Sequence, residues 1–124
     1  MDITFTDREA DVMQVLWDHG PSAVAEVQAK IGAQLAYTTI LTVLRTLETK
    51  GYVGHQEQGR SYRYHAIVEQ QVARTSALRH LTSKLFKGSA ELLMTQLVSD
   101  QKLTAEQLRR MRALLAEHDD KEQP

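Results

Sequence analysis

Apolar residues return every three or four positions along most of this chain, the spacing that lines one face of a helix. Ala10, Met13, Leu16 and Trp17 form the first such stripe. Thr6-Asp7-Arg8-Glu9 precedes it with capping-box spacing, so a helix is predicted from about Asp7 to His19, where His19-Gly20-Pro21 breaks the pattern. Ser22 reads as the N-cap of a second, short helix carrying Val24, Val27 and Ile31 and closed by Gly32. After the connection Ala33-Gln34-Leu35-Ala36 comes the sharpest stripe, from Tyr37 to Lys50, with Ile40, Val43, Leu44 and Leu47 on one face and Gly51 as the stop. The period then changes. Tyr52 to Gln56 and Tyr62 to Ala66 are β-prone runs separated by Glu57-Gln58-Gly59-Arg60-Ser61, which predicts a hairpin.

From Val68 the strand signal disappears, and a helix is predicted to run to Phe86, with a break at Lys87-Gly88-Ser89. Ser89 then caps a helix carrying Leu92, Leu93, Leu97 and Val98 and ending near Ser99-Asp100. A second box, Thr104-Ala105-Glu106-Gln107, opens a last helix with Leu108, Met111 and Leu115, and His118 to Pro124 is expected to fray. This order predicts a mainly α protein with a small β-hairpin wing. Residues 1–67 form a winged helix-turn-helix for binding DNA, and residues 68–124 form a helical dimerisation segment.

The third helix is where this reading acquires a function. At about 100° per residue, Thr38, Thr42, Arg45 and Thr49 fall opposite the apolar stripe, with Thr46 on its flank. Glutamate or lysine would be commoner on a merely solvated face, because threonine is a poorer helix former. Short hydroxyls and an arginine suit a helix laid in the major groove, so Thr38, Thr39, Thr42, Arg45 and Thr46 are assigned to bases. Tyr37, Lys50, Arg60 and Arg63 are assigned to phosphates. The C-terminal stripes Leu78, Leu81, Leu85, Leu92, Leu93, Leu97, Leu108, Met111 and Leu115 are too short for a core of their own and are assigned to a homodimer interface.

Composition constrains rather than decides. A formal net charge of -1 over 124 residues means that DNA binding must rest on a local basic face. The absence of cysteine excludes disulfides, thiolate metal sites and thiol catalysis. No export signal or membrane-length apolar run is seen, so a cytoplasmic location is expected. The five histidines lack the spacing of a metal site, although His55 and His65 are placed to oppose each other across the hairpin. No catalytic motif is present, and neither an enzyme nor a bound cofactor is expected.

The runs EADVMQVLWDHGP (9–21), AYTTILTVLRTLETKGYV (36–53) and RSYRYHAIV (60–68) resemble the penicillinase and methicillin repressor family, BlaI/MecI type. The resemblance implies a cytoplasmic homodimer that blocks transcription from a palindromic operator, a double-stranded DNA partner held by the N-terminal domains. Two positions depart from the family. An arginine often precedes the leucine matching Leu47, whereas here Thr46 stands there and the arginine is Arg45. Antibiotic-sensing members are cut at an Asn-Phe bond that corresponds to Gln96-Leu97, and this chain has no asparagine. Some relatives sense copper through C-terminal cysteines, which are also absent. The inducing protease or ligand is not indicated. The competing reading is a winged-helix protein-interaction module with a dimerising tail, because fold alone does not fix function. Small-ligand sensing between the two halves is a weaker third.

Overall fold

The computed structural model describes residues 2–32 and 34–122; Ala33 of the expected connection and Gln123 and Pro124 of the expected tail lie outside them. Helices α1 (Asp7–His19), α2 (Val24–Ile31) and α3 (Tyr37–Thr49) are followed by a hairpin and by α4 (Gln70–Leu85), α5 (Ala90–Asp100) and α6 (Ala105–Glu122). Strands β1 (Ser22–Ala23), β2 (Val53–Gln58) and β3 (Ser61–Ala66) form one antiparallel sheet in the order β1-β3-β2. This is the mainly helical, winged architecture the periodicity predicts. Among the described residues no helix is long and apolar enough to cross a membrane.

The start of α1 follows from its capping box. The Thr6 hydroxyl accepts from the Glu9 N–H at 3.1 Å, and the Glu9 carboxylate accepts from the Thr6 N–H at 2.7 Å. Val12, Met13, Val15 and Leu16 then face Val24 and Val27 of α2 and Ile40, Leu44 and Leu47 of α3 in one buried cluster, closed by Val53 and Tyr64 of the hairpin. Each fully buried aliphatic side chain stabilises this unit by about 1.5–3 kcal/mol. Val43, expected on the same face, is only half-buried at its edge. Phe5 packs edge-on against Trp17 and Tyr52, and the Trp17 indole N–H donates to the Val68 carbonyl at 2.9 Å.

Three local expectations are corrected. Ser22 is not a helix cap: it is buried in β1 opposite Tyr64, and its hydroxyl donates to the Gly20 carbonyl at 2.9 Å. The N-cap of α2 is Ala23, whose N–H is taken by Glu26 at 3.1 Å. The hairpin is tighter than the five-residue loop expected, because pairing continues to Gln58 and Ser61 and leaves Gly59-Arg60 as the turn. Gly59 sits at φ +65°, the left-handed geometry that two-residue hairpin turns demand. Finally, α6 does not fray at His118 but continues to Glu122.

The chain divides into two compact units, one through His80 and one from Leu81. In the first, Ala73 of α4 is buried and the Ile3 N–H donates to the Ser76 hydroxyl at 2.9 Å, so the opening turns of α4 belong with the winged fold. In the second, Ser89 caps α5 by accepting from the Leu92 N–H at 3.1 Å, and Thr104 and Gln107 form the expected box at the start of α6. None of the described residues from Leu81 onward is buried.

Candidate functional site

The buried stripe of α3 leaves its other side to solvent. Thr38, Thr42, Arg45, Thr46 and Thr49 are all exposed, and Thr39 is half-buried beside them. The threonine hydroxyls are organised along the helix: Thr42 donates to the Thr38 carbonyl at 2.9 Å, Thr46 to the Thr42 carbonyl at 2.9 Å and Thr49 to the Arg45 carbonyl at 3.0 Å. Their protons are therefore satisfied within the helix. The oxygens retain lone pairs for an incoming donor, and the methyl groups are free for apolar contact.

A groove separates this face from the hairpin, lined chiefly by Tyr37, Leu41, Arg45, Arg60, Tyr62 and Tyr64. Tyr37, at the first helical position, is 49% exposed, and Arg60 stands in the hairpin turn. Tyr64 forms the floor. Burial raises the pKa of its phenol, the Glu48 carboxylate raises it further, and the positive charge of the nearby Arg45 guanidinium opposes both. Next to it, the His55 ring stacks on Tyr62 with centroids 4.4 Å apart, and its Nδ1 lies 2.6 Å from Glu48 Oε2. The recognition-like helix and the wing are thus joined by polar contacts as well as by the core.

The four residues assigned to phosphates divide into two groups. Tyr37 and Arg60 line the groove with Arg45. Lys50 and Arg63 instead hold carboxylates of the same chain. Lys50 Nζ lies 2.9 Å from Glu9 Oε2, and Glu9 is only 4% exposed. Burial pushes the Glu9 carboxyl upward, but the Lys50 ammonium and the Thr6 N–H and hydroxyl outweigh it, so its pKa is held below the ordinary value. Arg63 donates to Glu26 Oε1 at 2.9 Å and to the Pro21 carbonyl at 2.6 Å, tying β3 to the entry of α2. Glu26 is held low by the Ala23 N–H first and the Arg63 charge second.

Glu9, Glu26, Glu48 and Tyr64 were not singled out by the sequence, although they fix the cations and the groove floor. Only Glu9 carried a local signal, its place in the capping box. The expected meeting of His55 and His65 does not occur. His55 is paired with Tyr64 and His65 with Gly54, so the two imidazoles belong to opposite faces of the sheet.

The dimerisation candidates are also placed. Leu78, Leu81, Leu85, Leu92, Leu97 and Leu115 are exposed, with Leu85 at 73%, while Leu93, Leu108 and Met111 are half-buried.

Known proteins share this arrangement. Two solved structures match with TM-scores just above one half. A MarR family protein from Bacillus stearothermophilus, 17% identical, has a TM-score of 0.53 over 98% of this chain and 78% of its own. The PcaV transcriptional regulator from Streptomyces coelicolor, 19% identical, has 0.52 over 94% and 75%. Those likenesses establish the winged fold. In sequence, the chain is 23% identical to the penicillinase repressor of Bacillus licheniformis over 115 residues, covering 91% of this chain and 90% of that one. It is 21% identical to the methicillin resistance regulatory protein MecI of Staphylococcus aureus over 109 residues, covering 86% and 89%. The penicillinase repressor family model matches residues 5–117, nearly the whole chain, and the protein therefore belongs to that repressor family.

Proposed function

We propose that this protein is a transcriptional repressor that binds a palindromic DNA operator as a homodimer. The observation that carries the reading is the exposed row Thr38, Thr42, Arg45 and Thr46 on α3, beside a groove that adds Tyr37 and Arg60. Laid in a major groove, these threonines and Thr39 meet base edges and thymine methyls while Arg45 forks onto guanine. Tyr37 and Arg60 grip phosphates and set the register. Lys50 and Arg63 add positive potential near the backbone while remaining bound to Glu9 and Glu26, so their share of the phosphate contacts is the smaller one.

Residues 1–67 read DNA in this proposal and residues 68–124 pair the chains. Support for pairing comes from the leucines exposed on α4, α5 and α6 and from the lack of a buried side chain among the described residues from Leu81 onward. A second copy is the usual means of covering such surface, and a two-fold pair places two recognition helices about one DNA turn, roughly 34 Å, or a multiple apart. The site of action is the cytoplasm, where the operator is. Release follows a route other than an Asn-Phe cut, since the matching peptide is Gln96-Leu97 within α5.

Selection of bound sites from random DNA, followed by titration of the winning duplex at two salt concentrations, tests the proposal. A palindromic winner bound by two chains is expected. Salt-sensitive binding with no enriched sequence would overturn it in favour of a protein-interaction module.

A further inference from the structure

The last helix has a charge pattern that the repressor reading does not use. The first half of α6 carries Arg109, Arg110 and Arg112 against Glu106, and the second half carries Glu117, Asp119, Asp120 and Glu122 against Lys121. Between the halves lie Leu114 and Leu115, 66% and 55% exposed. Within the chain, Arg109 is taken by Glu106 at 2.8 Å and Lys121 approaches Glu117 at 3.7 Å. Among the described residues, Arg110, Arg112 and Asp119 have no ion-pair partner of their own.

The helical positions of these groups are matched. At about 100° per residue, Arg110 and Glu117 fall on one flank of the face centred on Met111, Leu114 and His118, and Arg112 and Asp119 fall on the other. A two-fold axis between Leu114 and Leu115 that sets two such helices antiparallel brings like flanks together. Arg110 then meets Glu117 of the second copy, and Arg112 meets Asp119 of the second copy, each within about two residues, or ~3 Å, of the level position. A parallel pair would instead set arginine against arginine and acid against acid.

We infer that α6 pairs antiparallel with α6 of a second copy of this chain, the leucines at its middle forming the contact and the arginine and acid halves fixing its direction. This rests on the homodimer reading and adds the orientation and the residues that choose the partner. Charge of this kind selects register and partner more than it adds affinity. The apolar surface continues into the groove between α5 and α6 lined by Met94, Val98 and Leu115, which gives the contact more area than one helix supplies.

Sedimentation equilibrium of the full-length chain gives the test. The wild type is expected to dimerise, and a wild type that stays monomeric at every concentration overturns the homodimer reading and this inference together. Arg110→Glu with Arg112→Glu, and separately Glu117→Lys with Asp119→Lys, should each raise the dimer dissociation constant by about tenfold or more, because each sets like charges against one another. The four changes combined should restore it towards the wild-type value, which a variant that merely misfolds does not do. A dimeric wild type whose charge variants dimerise equally well overturns the inference and leaves the homodimer intact. Cross-linking reads the direction independently, since the chain contains no cysteine of its own. Gln107→Cys and Lys121→Cys chains should form a disulfide with each other when mixed and far less with themselves. Self-cross-linking of both would mean a parallel pair and overturn the inference.

Discussion

The two compact units of this molecule use similar helices to opposite effect. Up to His80, α1, α2 and α3 turn their stripes towards one another and the hairpin caps them, so that among the described residues the buried core runs from Ile3 to Ala73. From Leu81, α5 and the long α6 carry as many leucines per turn and bury none of them completely. The difference is one of connectivity rather than hydrophobicity. Three short helices joined by tight turns around a sheet enclose a volume, whereas two helices and the end of a third have too little surface to enclose one. The first unit encloses its own interior, whereas the second would gain its missing one from a partner under the proposed homodimer.

Truncation after His80 breaks this comparison most directly. The shortened protein should still unfold cooperatively but lose about 10²–10⁴ in operator affinity, because the two halves of the site are no longer held together; gel-shift titration beside circular dichroism reads both. Within the first unit, Leu44→Ala should remove about 2–5 kcal/mol of stability by opening a cavity, with an unfolding midpoint shift that does not depend on protein concentration. An equivalent loss from Leu97→Ala that appears only in dilute solution would sharpen the contrast. Arg45→Ala should weaken operator binding by about 1–3 kcal/mol and relax specificity at one base pair, measured by competition between operator variants.

The smallest effect expected concerns Glu9. Its pKa is lower in the folded chain than when unfolded, so its contribution is complete above the ordinary carboxylate value and is lost as pH falls through the folded value. Glu9→Gln should therefore be less stable than wild type at neutral pH by about 1–2 kcal/mol, and the gap should close in acid. A gap that persists at low pH would assign the loss to altered capping instead of to the Lys50 pair.

How far the sequence carried depended on the range of each interaction. Helix limits set by neighbours were readable: the Thr6 and Thr104 boxes, the Ser89 cap and the left-handed Gly32 are all in place. The exposed side of α3 was readable too, because periodicity alone defines it. Strand β1 was not, since two residues carry no alternation and Ser22 offers a hydroxyl equally suited to a cap. Lys50 and Arg63 looked like free cations because their partners, Glu9 and Glu26, are 41 and 37 positions away. The His55 and His65 pairing failed on register: a hairpin tighter than supposed placed them on opposite faces of the sheet.

The internally bonded threonines of α3 also bear on how forgiving an operator search would be. A site rejects a wrong base most severely when the mismatch strands a polar group without a partner. On this helix the hydroxyl protons keep their carbonyls whatever lies opposite, so a poor sequence forfeits contacts without creating an orphaned donor. Graded tolerance would follow at Thr42 and Thr46, with related operators occupied in proportion to their fit, and sharp refusal of a base would fall chiefly to Arg45.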